Sequence, residues 1–143
     1  MDKIILDFLT KERVCSLTTL LKDGSPHGAA LHFSHKNNPV ELYFSTEKTS
    51  IKCEALLEEN TVKGSVVVGF SEDEWITLQM DGEVSVISDK DELNAAQKIH
   101  YPKHPESEKY KDYPNTIFLK FTPKWWRYTD YNIKPETILS SEK

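Results

Sequence analysis

The sequence predicts a mainly β fold: an antiparallel barrel, Greek-key-like, with helices packed outside it. Three observations carry this expectation. Short runs rich in β-branched and aromatic residues recur, as at 14–21, 40–46 and 116–122. Turn signals such as Asp23-Gly24 and Asn38-Pro39 separate them. Helical spacing is confined to a few stretches.

Taken in order, residues 2–12 carry Ile4, Ile5, Phe8 and Leu9 on one helical face. Residues 14–21 and 27–35 read as strands of a hairpin around Asp23-Gly24-Ser25-Pro26. Residues 36–39 turn into a third strand, 40–46. A helix follows over 50–59 with Ile51, Ala55 and Leu56 inward. Residues 65–70 suit a buried strand, and 71–74 an acidic loop. A long strand over 75–87 is interrupted by Gly82, which marks a bulge or a close backbone approach. Asp89 and Glu92 form a capping-box-like start for a helix reaching about residue 100. Residues 101–114 hold three prolines and many charges and read as a loop or lid. Ile117, Leu119 and Phe121 alternate along a strand, Pro123 interrupts, and 124–131 form the last strand. The tail, about 132–143, is polar and expected to be mobile.

The 143 residues suit one domain, 1–143. A net charge of −5 opposes nucleic-acid binding, which needs a basic face. No apolar run is long enough to cross a bilayer. The start of the chain lacks the basic and apolar pattern of a secretory signal, so residence in the cytoplasm is expected. Cys15 and Cys53 show no metal spacing and are expected to be free, buried thiols.

The richest stretch is residues 42–53, where a strand passes into a helix. Ser45, Thr46, Thr49 and Ser50 supply hydroxyls there, and Lys48 and Lys52 supply charge. Free N–H groups, hydroxyls and a lysine suit a phosphate. Simple helix capping accounts for the same hydroxyls. The second strand has a small, polar face of Gly28, Ala30, His32 and Ser34, fit for a flat ligand or for solvent. Thr77 and Gln79 share a face two residues apart and can donate to a ligand or simply meet water. Trp125 and Trp126 point to opposite faces of a strand, so one can enter the core and the other a pocket. No metal site is expected. His27 and His35 lie about 26 Å apart along a strand, His32 is on the other face, and His100 and His104 flank a proline loop. Nucleophile motifs, a P-loop and a Rossmann glycine pattern are all missing.

The order of these pieces resembles the split-barrel flavoproteins of the pyridoxamine 5′-phosphate oxidase-like superfamily. The resemblance rests on Val14-Cys15-Ser16-Leu17-Thr18-Thr19, Asp23-Gly24-Ser25-Pro26-His27, Leu42-Tyr43-Phe44-Ser45-Thr46 and Ser50-Ile51-Lys52. It continues through Thr77-Leu78-Gln79-Met80-Asp81-Gly82-Glu83-Val84 and Trp125-Trp126-Arg127-Tyr128. It implies a split β-barrel, a homodimer with the cofactor at the subunit interface, and FMN as that cofactor. Haem and the deazaflavin F420 are the less favoured ligands. The implied activity is a flavin-dependent oxidation or reduction of a small molecule. The alternative is a non-catalytic flavin- or haem-binding or sensing module. The implied cofactor contacts are His32, Ser34, Ser45, Thr46, Ser50, Lys52, Thr77, Gln79 and Trp126. Ile51 and Ala30 stand where many members carry arginine. No residue is assigned as a catalytic acid or base, although His32 and Tyr128 have the chemistry.

Overall fold

The first helix, α1, forms over Lys3–Lys11 in the computed structural model, which describes residues 1–142. Ile5, Phe8 and Leu9 recur at helical spacing, and all three are buried, whereas Ile4, expected on the same face, is 49% exposed because it lies one helical step to the side of that stripe. The remaining chain is organised by one antiparallel sheet. Its strands are β1 (Val14–Leu20), β2 (Pro26–His32), β3 (Ser34–Asn37) and β4 (Val40–Glu47). They continue as β5 (Thr61–Val68), β6 (Ile76–Val86), β7 (Thr116–Asp130) and β8 (Thr137–Ser140). Across the sheet the order is β2-β1-β5-β6-β7-β4-β3, with β8 added to β7. The two edges, β2 and β3, are separated in the chain by Phe33 alone. The sheet therefore curls until its edges meet there, as a split barrel.

The inner face holds the main core, including Leu17, Val66, Met80, Val84, Phe44, Leu119 and Phe121. Helix α3 (Lys90–Lys103) packs on the outer face of β3, β4 and β7. There Tyr43, Phe118, Ile87, Ala96 and Tyr101 form a second, smaller core. The Asp89 carboxylate caps α3, accepting the Glu92 N–H at 2.9 Å, as the capping pattern predicts. Among the described residues no helix packs on the outer face of β1, β2, β5 and β6.

Several elements differ from the sequence-based expectation. The strand expected over 27–35 breaks at Phe33, whose N–H donates to the Arg13 carbonyl. Beyond it the chain leaves β1, and Ser34 pairs with Tyr43 instead. The helix expected over 50–59 is a 3-10 turn (Ile51–Cys53) followed by the short helix α2 (Leu56–Glu59). The tighter turn rotates its faces. Ile51, expected inward, is 60% exposed, while Lys52 and Cys53 are buried. α3 runs three residues past His100 and includes Pro102, and a 3-10 segment (Pro105–Tyr110) follows, so the expected loop is partly helical. The tail is not free: β8 pairs with β7, and the Trp126 N–H donates to the Ser141 hydroxyl at 2.9 Å.

Pro123 does not end the last strand. β7 runs through it because the register with β6 shifts between Asp81 and Gly82. Asp81 faces Trp125 and Gly82 faces Pro123, so Lys124 has no opposite number. A side chain at Gly82 would run into the Thr122 carbonyl oxygen. Gly82→Ala is therefore expected to destabilise the fold by about 1–3 kcal/mol. Gly28→Ala, where a Cβ meets only the Thr18 hydroxyl at 3.6 Å, is expected to be close to neutral. Urea unfolding of both variants checks the contrast.

Candidate functional site

The corner after β4 is built around the Glu47 carbonyl. It accepts the Ser50 N–H at 3.1 Å and the Ser50 hydroxyl at 2.7 Å. The Lys52 ammonium donates to the Ser50 Oγ at 3.0 Å. The Thr19 hydroxyl of β1 donates to the Lys52 carbonyl at 3.1 Å, which fixes the turn against the barrel. Lys52 is only 8% exposed. Burial holds its ammonium below the usual lysine range. Among the described residues no carboxylate lies within ion-pair distance of it. A buried cation with one neutral partner is poorly compensated. An anion arriving at this corner would supply the missing charge.

Ser45 and Thr46 adjoin this corner but point apart. Ser45 aligns with Phe118 and Thr46 with Ile117, on opposite faces of the sheet. Both line a cleft of about 260 Å³ with Glu47, Ser107, Tyr110 and Thr116. Lys52 does not line that cleft; Glu47 links the two groups.

The open outer face carries Thr77 and Gln79, with the exposed His32 at its edge. Ala30, Ser16, Val67, Gln79 and Arg127 form one row across five strands. Gly28, Thr18, Ser65, Asp81 and Trp125 form the next. Both rows are small-sided over β2 and β1 and become larger toward β7, where Arg127 and Trp125 stand. Thr77 donates its hydroxyl to the Val68 carbonyl at 3.3 Å. It also borders a cleft with Phe70, Trp75 and Tyr131, three exposed aromatic residues. The tryptophan pair is resolved by the bulge. Inserting Lys124 reverses the alternation of β7, so Trp126 packs against the main core. Trp125 stands outside with the Arg127 guanidinium 5.5 Å from its ring. Simple alternation along the sequence cannot reveal a parity switch.

Ser34 is not brought to the corner. It is buried under α3, and its hydroxyl hydrogen-bonds the His100 Nδ1 at 2.8 Å. The sequence reading scatters the histidines; the fold gathers three of them. His104 Nε2 donates to the Phe33 carbonyl at 2.7 Å. The rings of His32 and His104 stack at 4.8 Å, and those of His100 and His104 lie at the same distance but tilted by 41°. One signal was available: four residues separate His100 from His104, which one helix face would bring together. The expectation that the helix ended near residue 100 hid it. Burial, with His104 and His32 nearby, pushes the His100 imidazole down to about 3. Both cysteines are buried, and burial pushes the Cys15 thiol up to about 12. A cleft of about 540 Å³ lies elsewhere, between α3 and the 3-10 segment, and none of the predicted site residues line it.

His100 is ordinarily protonated below about 6.5 when unfolded, and the fold depresses that value. Its contribution to stability is therefore present above 6.5 and lost as pH falls toward 3. In chelator-treated protein, stability should fall by about 1.4 kcal/mol for each pH unit lost to this group. His100→Gln should flatten that slope in urea unfolding at pH 7, 6 and 5. An unchanged slope in the variant would move the effect to His35 and His104, which burial also holds below the usual imidazole range.

Residues 1–130 match the family described as pyridoxamine 5′-phosphate oxidase. No curated protein matches the chain. Solved structures do. A heme binding protein from Mycobacterium smegmatis superposes with a TM-score of 0.71 at 16% identity, over 91% of this chain and 52% of that one. The chain thus spans about half of that protein. A Clostridium acetobutylicum protein related to general stress protein 26 of B. subtilis, of the pyridoxinephosphate oxidase family, gives 0.71 at 16%, over 99% and 96%. HutZ, the heme storage protein of Vibrio cholerae, gives 0.72 at 13%, over 86% and 89%. At such identities the likeness is one of fold. The family match, extending from the first helix through the paired ends of β6 and β7, places this chain in the pyridoxamine 5′-phosphate oxidase family.

Proposed function

We propose that the chain binds FMN and acts as a flavin-dependent oxidoreductase on a small molecule. One observation carries the reading: a lysine buried in the turn after β4, with a hydroxyl partner and, among the described residues, no carboxylate within ion-pair distance. A phosphate monoester fits that donor set, because it brings the opposite charge and several acceptor oxygens. Lys52 would hold the phosphate, with Ser50 and the neighbouring Thr46 or Ser45 donating to it. Bound FMN supplies hydride or electron transfer at its ring. The chain supplies position.

The second half of the site is expected from another copy of the chain. The bare, small-sided outer face and the exposed aromatics Phe70 and Trp75 support a homodimer with the cofactor between subunits. Thr77 and Gln79 sit on that face and would meet the partner's flavin. Ser34, already bound to His100, has no role in this arrangement. Trp126 would act from beneath, by supporting the sheet against the main core.

A second reading is favoured by His32, which is exposed at the edge of the small face. An exposed imidazole can ligate haem iron, and two of the similar folds are described as heme proteins. The spectrum of freshly purified protein separates the readings: flavin bands support the first, a Soret band the second.

Lys52→Ala is expected to weaken FMN binding by roughly tenfold or more, from the loss of one charged hydrogen bond. Fluorescence titration with FMN measures it, and circular dichroism checks folding. Equal FMN affinity in the variant would remove the phosphate from this corner.

A further inference from the structure

We propose that His32, His104 and Glu106 form a mononuclear site for a divalent transition-metal ion, zinc or cobalt in class. Their ligand atoms lie within 4.8 Å of one another. The site is assembled by the fold, because β2 supplies one residue and the segment after α3 the other two.

His104 is the anchor. It is fully buried, and its Nδ1 has no hydrogen-bond partner among the described residues. An orphaned buried ring nitrogen is costly unless something binds it. The other ring nitrogen, Nε2, donates to the Phe33 carbonyl at 2.7 Å. A carbonyl only accepts, so Nε2 carries the proton and Nδ1 presents a lone pair. Fixing one nitrogen on a carbonyl so that the other faces a metal is the usual arrangement of histidine ligands. His104 Nδ1 lies 3.6 Å from Glu106 Oε1. Two ligands of a tetrahedral zinc at 2.0–2.1 Å stand about 3.4 Å apart. That pair is therefore already near ligand spacing. His32 and Glu106 are exposed, so closing the third side needs only side-chain rotation.

Donor chemistry selects the ion. Two imidazoles and one carboxylate suit zinc and its neighbours, not magnesium or calcium. Three protein ligands leave a fourth position open to water or to a further donor. The Arg13 guanidinium also binds Glu106 Oε1, at 2.8 Å, and the Lys103 carbonyl, at 3.0 Å. It steadies the carboxylate, but its charge and that of Lys103 work against a dication. The site therefore depends on its lone pairs and not on net negative charge. An ion here would clip the bend at Phe33 to the end of α3.

The test uses full-length, tag-free protein stripped with chelator. Titration with cobalt chloride should give visible d–d absorption that saturates at one equivalent. Zinc chloride should displace it and raise the melting temperature. His32→Ala and Glu106→Gln, both at exposed positions, should each weaken zinc binding by roughly tenfold or more. His27→Ala should leave it unchanged. The proposal is overturned if cobalt gives no absorption, or if zinc affinity is the same in the wild type and both variants.

Discussion

The ladder between β6 and β7 sets the geometry of everything else. It pairs Ile76 with Asp130 at one end and Val86 with Leu119 at the other, and so spans both halves of the barrel. A strictly regular ladder would keep one face of β7 inward throughout. The main core instead needs Leu119 and Phe121 on one side of Pro123 and Trp126 and Tyr128 on the other. These two sets differ in parity, and only an odd insertion can bring both inside. Lys124 is that insertion, and the missing side chain of Gly82 makes room for it.

The outer face is divided as sharply. Over β3, β4 and β7 it is covered by α3 and sealed by Tyr43 and Phe118. Over β1, β2, β5 and β6 it stays open, small-sided at Gly28, Ala30, Ser16, Thr18 and Ser65 and longer-sided at Gln79 and Asp81. The two sites flank this boundary. The lysine corner follows the end of β4, where a buried ammonium has the Ser50 hydroxyl oxygen as its acceptor. The histidine cluster closes the bend at Phe33, where the buried His104 Nδ1 has no hydrogen-bond partner among the described residues.

Much of this was legible in the sequence. Alternation in Ile117, Leu119 and Phe121, the Asp89 cap and the helical spacing of Ile5, Phe8 and Leu9 all translate directly into structure. The break at Gly82 was legible as well. Ile51 was misread because a 3-10 turn and an α-helix of the same residues bury different faces. Lys52 was legible as charge but not as a buried group, since burial depends on β1 arriving at Thr19. The histidine cluster was invisible for a similar reason: His32 and His104 meet only through the packing of α3 under Phe33.

The Lys103 ammonium donates to the Leu9 carbonyl at 2.9 Å, across 94 positions of the chain. It also lies 4.2 Å above the Phe33 ring. Arg13 likewise reaches forward to Lys103 and Glu106. On a translating ribosome the amino-terminal helix emerges long before these partners exist. Its docking therefore belongs to the last stage of maturation, after α3 has left the exit tunnel, and until then its apolar stripe is available to chaperones.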